Sequence, residues 1–432
     1  MLRRGSVLGL SISLFVVTPA KAQVAGGLIV QSQIPQDYYR GRNVSVSEQQ
    51  RPEYMPLGVR LAGVLLYPSV DLGGGGTTNA YLRGDGVVKA AFASVTPSVR
   101  LVSAWSRHEL QVTGSTTLRD YFGEERRNER LWDVGAAGRL DVLRVLKVDA
   151  AVNTSSSFEN LFSGEVTPTV AALSRYRRNF GSLRATYTSG RGRAFLLTDY
   201  TDLRFRPVAL LSGGARDQGE RNRHVVRLAG QLEYARSPTI SLFGQLSGNQ
   251  TRYDRDPALG RARVDSNAAR FLVGVNADIA GRMRGTVGLG YSIRDYTADA
   301  YKTVRGLSVE TSIQLFPLRR LTVSIDGERS IGDASINLIP TPFWNTSVSL
   351  RAEYELLRNV ILTASAENAR QRYLRNPLRG EIQSAKVAGR FLVSRRIALR
   401  SSLSFTRRSS NDAALLNGAS EGRIEAGITY RL

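Results

Sequence analysis

Arginine is the residue with the most chemistry to offer in this chain. Lys and Arg number 59 against 37 Asp and Glu, a formal charge of +22 over 432 residues. Arg107, Arg144, Arg191, Arg236, Arg282, Arg319, Arg358 and Arg395 recur at intervals of 37 to 47 residues, each in a short polar break. A guanidinium is a planar fork of N–H donors that matches phosphate and carboxylate oxygens. Arginines set at one level would form a cationic ring for anionic lipid headgroups. An anionic polymer or a periplasmic partner is the other candidate for such a ring.

The residue types needed for covalent or metal chemistry are nearly absent. There is no Cys, which excludes thiol chemistry, and the two His, His108 and His224, cannot make a His-rich metal site. No G-x-S-x-G elbow and no phosphate-cradling P-loop is present. The run Gly73 to Gly76 is followed by Thr77, Thr78 and Asn79. It reads as a flexible strand end, because a phosphate cradle needs a helix after it. No catalytic residue, metal ligand or cofactor is predicted, and the chain is not expected to be an enzyme.

The first residues differ from the rest. Arg3 and Arg4 precede a mostly apolar run, Val7 to Val17, and Ala20-Lys21-Ala22 is an A-x-A site. This predicts a cleaved signal peptide over 1–22. Cleavage would remove Arg3, Arg4 and Lys21 and leave +19. Export argues against nucleic acid as the partner for that charge. Residues 23–57 are polar, with little periodicity, and predict an irregular periplasmic tether that docks on a partner, plugs a lumen or does neither.

The elements that hold the arginines are written in alternation. Val134, Ala136, Gly138, Leu140 and Val142 alternate with Asp133, Gly135, Ala137, Arg139 and Asp141. Val348, Leu350, Ala352, Tyr354 and Leu356 alternate with Ser349, Arg351, Glu353 and Glu355. The last ten residues repeat the pattern, with Ile424, Ala426, Ile428, Tyr430 and Leu432 on one face. Period two means strands with one apolar and one polar face. Mean hydropathy is only −0.20, as expected when lipid-facing and lumen-facing residues cancel. A propeller would need four short strands per repeat, whereas each repeat here holds two long ones.

Eight hairpins, a first strand near Ala62 to Gly75 and a last near Ala419 to Leu432 make eighteen strands. The expected fold is therefore all-β: a transmembrane antiparallel up-and-down barrel over 58–432. Its short turns are periplasmic and its longer loops extracellular, and it sits in the outer membrane of a Gram-negative bacterium. Alternation is weakest around Arg175 to Arg206, and without that pair the count is 16. On the lumen face the pattern places Arg100, Arg119, Arg139, Arg184, Arg227, Arg270, Arg390 and Arg400. It places Asp141, Glu233, Glu310, Asp326 and Glu353 there as well, so the two signs roughly balance. Tyr67, Trp105, Tyr121, Phe122, Trp132, Tyr234, Tyr253, Tyr296, Phe316, Trp344 and Tyr373 fall near strand ends, as interfacial girdles would.

One stretch goes beyond pattern. Arg51-Pro52-Glu53-Tyr54, Pro56-Leu57-Gly58, "LLYPSVDLGGG" from Leu65 to Gly75, Asn79 and "TPSVRLVSAWSRHEL" from Thr96 to Leu110 follow one another. This resembles the start of the bacterial outer-membrane barrels called "putative beta-barrel porin 2". Outer-membrane barrels usually end on an aromatic residue, and this chain ends on Leu432. The resemblance implies a non-enzymatic outer-membrane barrel, some of whose relatives look like partners of exopolysaccharide or capsule export. The leading expectation is a conduit for surface polysaccharide working with a periplasmic export protein. A general diffusion porin for small hydrophilic solutes and a structural or adhesive barrel are the alternatives. Outer-membrane lipid, lipopolysaccharide and the barrel-assembly machinery are the other expected partners.

Overall fold

The computed structural model describes residues 44–159, 173–210, 212–256, 262–279, 282–332, 342–374, 377–412 and 418–432. The expected signal segment and residues 23–43 of the tether lie outside them. Among the described residues, eighteen long strands form one closed barrel. They are β1 Val64–Thr77, β2 Ala90–Ser103, β3 Glu109–Tyr121, β4 Glu129–Asp141, β5 Leu146–Phe158 and β6 Arg175–Ser189. Next come β7 Gly192–Phe205, β8 Arg223–Ala235, β9 Ile240–Tyr253, β10 Ser266–Ile279, β11 Met283–Tyr296 and β12 Val304–Leu318. The last six are β13 Leu321–Gly332, β14 Phe343–Leu357, β15 Val360–Tyr373, β16 Arg379–Leu392, β17 Ile397–Ser410 and β18 Ala419–Arg431.

Each strand pairs antiparallel with its neighbours in sequence, and β18 returns to β1 from Ser69↔Arg431 to Thr77↔Arg423. Closure gives the backbone donors and acceptors of every strand a partner on both sides, which hydrocarbon demands. The strands run from 12 to 15 residues, more than the roughly 9–11 that span a bilayer at a tilt. The weakly alternating segment does form β6 and β7, fully paired from Tyr176↔Phe205 to Ser189↔Gly192. The count is eighteen because pairing on both edges outweighs a poor local pattern. One short strand, Val59–Leu61, doubles back on β1 and lies outside the closed ring.

The apolar set points outward on every strand that carries it. Leu232 is 71% exposed and Leu307 69%, with Leu246, Leu403 and Ile424 close behind. Such a belt is costly in water and is satisfied by lipid. The aromatic reading needs correction. Trp105, Phe122 and Tyr234 are exposed at the ends of the belt, but Tyr121, Tyr253, Trp344 and Tyr373 are buried. Parity turns Tyr121, Tyr253 and Tyr373 inward, where Tyr121 packs on Phe92 and Tyr373 on Phe343, while Trp344 keeps the outward parity of β14 and is covered by Val304 and Ile331.

The glycine run also differs from expectation. Gly73 to Gly76 lie inside β1, paired on both sides. A Cβ on Gly75 would sit 2.1 Å from the Ile424 carbonyl oxygen, so these residues let β18 and β1 approach closely.

Candidate functional site: the lumen and its short-turn mouth

Register places all the sequence-selected wall residues on the lumen face, opposite the exposed apolar set. Most are neutralised by a neighbour on the same wall. Arg119 bonds Glu129 at 2.5 Å, Arg139 bonds Asp149 at 2.9 Å, and Arg227 bonds Asp199 at 2.6 Å. Arg270 pairs with Glu310 across two strand spacings. Arg100 lies over the Tyr67 ring and Arg184 over Phe195, at 4.6 and 4.9 Å. Asp326 accepts from the Ser312 hydroxyl at 2.7 Å, and Lys147 is 3.9 Å from Asp141. Glu233 accepts from Gln231 at 2.7 Å and Asn276 at 3.1 Å. Glu353 accepts a backbone N–H from Ser47, described below. Arg390 is exposed and makes no hydrogen bond or ion pair among the described residues.

The wall is not uniform around the ring. On β8 every lumen-facing side chain from Arg223 to Ala235 is buried, and on β9 and β10 Phe243, Gln245, Leu272 and Asn276 are nearly inaccessible. Amides link this sector: Gln245 donates to Gln231 at 2.9 Å, and Thr286 donates to Asn276 at 2.5 Å. From β14 to β17 the lumen face carries short hydroxyl side chains, Ser349, Thr363, Ser365, Ser402 and Ser404, with Arg351, Lys386 and Arg390 exposed among them. This is the accessible side of the wall.

The seam where the chain closes has its own clip. Arg400 on β17 reaches over β18 to Asp71 on β1, at 2.8 Å through Nε, and Asp71 also accepts from Thr429 at 2.7 Å. Gly73 and Gly427 make room for it: a Cβ on either would lie within about 3 Å of the Arg400 guanidinium. Towards the long loops, Arg119 and Arg423 both lie over Phe92 and both reach Glu425. Beyond that, the Tyr81 hydroxyl donates to Glu124 at 2.8 Å. Loss of water around it and the acceptor carboxylate push the Tyr81 pKa up to about 12.

The described part of the tether folds into the short-turn mouth. Val46 is fully buried, Ser45 and Arg51 nearly so. The Val46 N–H donates to Thr322 Oγ1 at 3.0 Å, and the Ser47 N–H to Glu353 at 3.2 Å. Arg284 grips Glu48 at 2.7 Å. Arg51 bonds Glu355 at 2.5 Å, the Val46 and Gln49 carbonyls at 3.0 Å, and the Arg358 carbonyl at 3.0 Å. Arg431 on β18 donates to the Tyr54 carbonyl at 3.0 Å. Thus Arg51, which opens the recognised Arg-Pro-x-Tyr motif, ties the segment to β14 and the turn after it, while Val46 holds it to β13. Its partner Glu355 carries the alternating pattern, but no spacing rule links residue 51 to residue 355. The sequence reading therefore missed this contact.

The eight turn arginines are all exposed and share the short-turn rim. Arg358 pairs with Glu53 at 3.1 Å, and Arg107 caps the carbonyls of Asp141 and Val142 at the end of β4. No residue cluster with metal-binding composition occurs among the described residues.

The family model described as "Putative beta-barrel porin 2" matches residues 51–431. No curated protein matches the chain. Among similar solved structures is the outer membrane protein opdK from Pseudomonas aeruginosa. It is 10% identical, covers 85% of this chain and 98% of its own, and has a TM-score of 0.44. Another is OccAB3 from Acinetobacter baumannii, 10% identical, over 86% and 100%, with a TM-score of 0.47. The copper transporter OprC is 12% identical, over 87% and 81%, at 0.48. Matched over almost all its length after the first fifty residues, the chain belongs to the "putative beta-barrel porin 2" family and is a porin-like outer-membrane β-barrel.

Proposed function

We propose that the barrel is a conduit for hydroxyl-rich hydrophilic molecules, and that its cargo is surface polysaccharide leaving the cell with the help of a periplasmic partner. The observation that carries this reading is the accessible wall from β14 to β17, where Ser and Thr hydroxyls stand among a few exposed cations. Hydroxyls both donate and accept, so they can exchange hydrogen bonds with a sliding sugar without holding it tightly. The exposed arginine rim offers an acidic partner or polymer a landing surface at the periplasmic mouth. Deletion of the gene tests the reading. Cell-bound and secreted polymer should fall while subunit synthesis continues, and unchanged polymer overturns export.

A general diffusion porin is the second reading. It is favoured by the pairing of most wall charges, which leaves no long funnel of one sign. Liposome swelling separates the two: free passage of neutral mono- and disaccharides, with polymer levels unchanged in the deletion strain, supports the porin.

A further inference from the structure

The register of β14 to β18 brings together residues far apart in sequence. Arg351 on β14 lies opposite Ser365 on β15, Ser365 opposite Lys386 on β16, and Lys386 opposite Ser404 on β17. These four form one row across the accessible wall, midway along the strands. Arg351 and Lys386 are two strand spacings apart, ~10 Å. The Arg351 side chain is 55% exposed, and Lys386 is exposed and makes no hydrogen bond or ion pair among the described residues.

The acids that face this row are engaged elsewhere. Glu353, one step towards the mouth, takes the Ser47 N–H and stands 3.8 Å from Arg351. Glu367, one step towards the long loops, has partners of its own. On β18, Glu425 is held by Arg423 and Arg119, and Glu421 by Thr77 and Arg423. Arg423, the row's next member, is thereby neutralised. What remains is an exposed ammonium and a half-free guanidinium, with a hydroxyl between them and another beyond.

We propose that Arg351, Ser365, Lys386 and Ser404 form a binding row for carboxylate-bearing sugars. The two cations take the carboxylates and the two serines exchange hydrogen bonds with ring hydroxyls. Their span suits a short stretch of acidic saccharide better than a lone carboxylate. The proposal rests on the conduit reading and names the class of cargo it would carry.

Calorimetry on the full-length protein in detergent tests it, with trigalacturonate, monomeric galacturonate and a neutral galactose trisaccharide as probes. The acidic trisaccharide should bind at least tenfold more tightly than the neutral one, and more weakly as salt rises. Lys386→Gln should lose at least tenfold, Lys386→Arg should retain binding, and Ser365→Ala with Ser404→Ala should lose less than Lys386→Gln. Equal affinity for neutral and acidic probes, or full affinity in Lys386→Gln, overturns the row. A trimer much tighter than the monomer points to a polymer, and equal affinity to a small acidic solute. Binding does not require passage. Swelling assays that show no sugar flux would sink the conduit and leave the row standing, and sugar flux together with equal affinity for neutral and acidic probes would do the reverse.

Discussion

Arg400 shows how one residue works in this wall. Its guanidinium crosses the terminal strand to Asp71, and it fits only because Gly73 and Gly427 lack a Cβ. The side chains are 39% and 20% exposed, so solvent weakens the pair, and Arg400→Ala is expected to destabilise closure by only about 1 kcal/mol. Gly75→Val should do more, because its side chain meets the Ile424 carbonyl and forces β18 from β1. Heat-modifiability in detergent gels checks both. The folded band of Arg400→Ala should persist to a slightly lower temperature, and that of Gly75→Val should be largely missing. Tyr81 carries the pH prediction. Its folded pKa is raised, so the Glu124 contact contributes fully below the ordinary tyrosine range and is lost as pH rises through about 12. Ultraviolet titration of the native chain against Tyr81→Phe should show a tyrosine ionising at about 12 that the variant lacks, and Glu124→Gln should bring it earlier.

At the scale of elements, the segment from Ser45 to Tyr54 is the piece with most leverage. Arg51 and Glu355 are both about nine-tenths covered, and removing one partner of a buried pair leaves an uncompensated charge, costing the docked state roughly 3–5 kcal/mol. Arg51→Ala is therefore expected to free the segment while leaving the eighteen-strand ring intact. Single-channel recordings in planar bilayers should then show a larger and noisier conductance, whereas a trace identical to the unaltered protein would mean that the segment does not limit flow. The contact was only half legible beforehand. The motif around Arg51 was recognisable, and so was the polar face of β14, but their meeting depends on how a closed ring bends its mouth around the preceding chain.

For the whole molecule, charge is arranged by height. The lumen pairs most of its arginines, while the short-turn rim leaves eight exposed beside exposed leucines such as Leu143, Leu318 and Leu357. Apolar surface next to guanidinium matches acyl chain next to phosphate, at about 1 kcal/mol per cation near an anionic surface. Replacing Arg144, Arg191, Arg236 and Arg319 together by Gln should weaken insertion into phosphatidylglycerol vesicles and leave insertion into phosphatidylcholine nearly unchanged. Equal efficiency in both lipids for the native chain would remove lipid as the target of the ring.

What the sequence determined by itself is the barrel. Period two is a local property of the backbone, so Ile424 to Leu432 announce their two faces without reference to any other strand. Short turns announce themselves equally locally, which is why the strand count could be read directly. The tertiary structure decided everything that depends on which residues stand opposite each other across strands. It turned Tyr121 and Tyr373 inward from the expected girdle, made Gly73 to Gly76 a closing seam, paired Arg400 with Asp71, tied Arg51 to Glu355, and aligned Arg351 with Lys386. Those outcomes follow from register and closure, which no single strand specifies: a shift of one residue in a strand would turn its side chains to the other face and give them different partners.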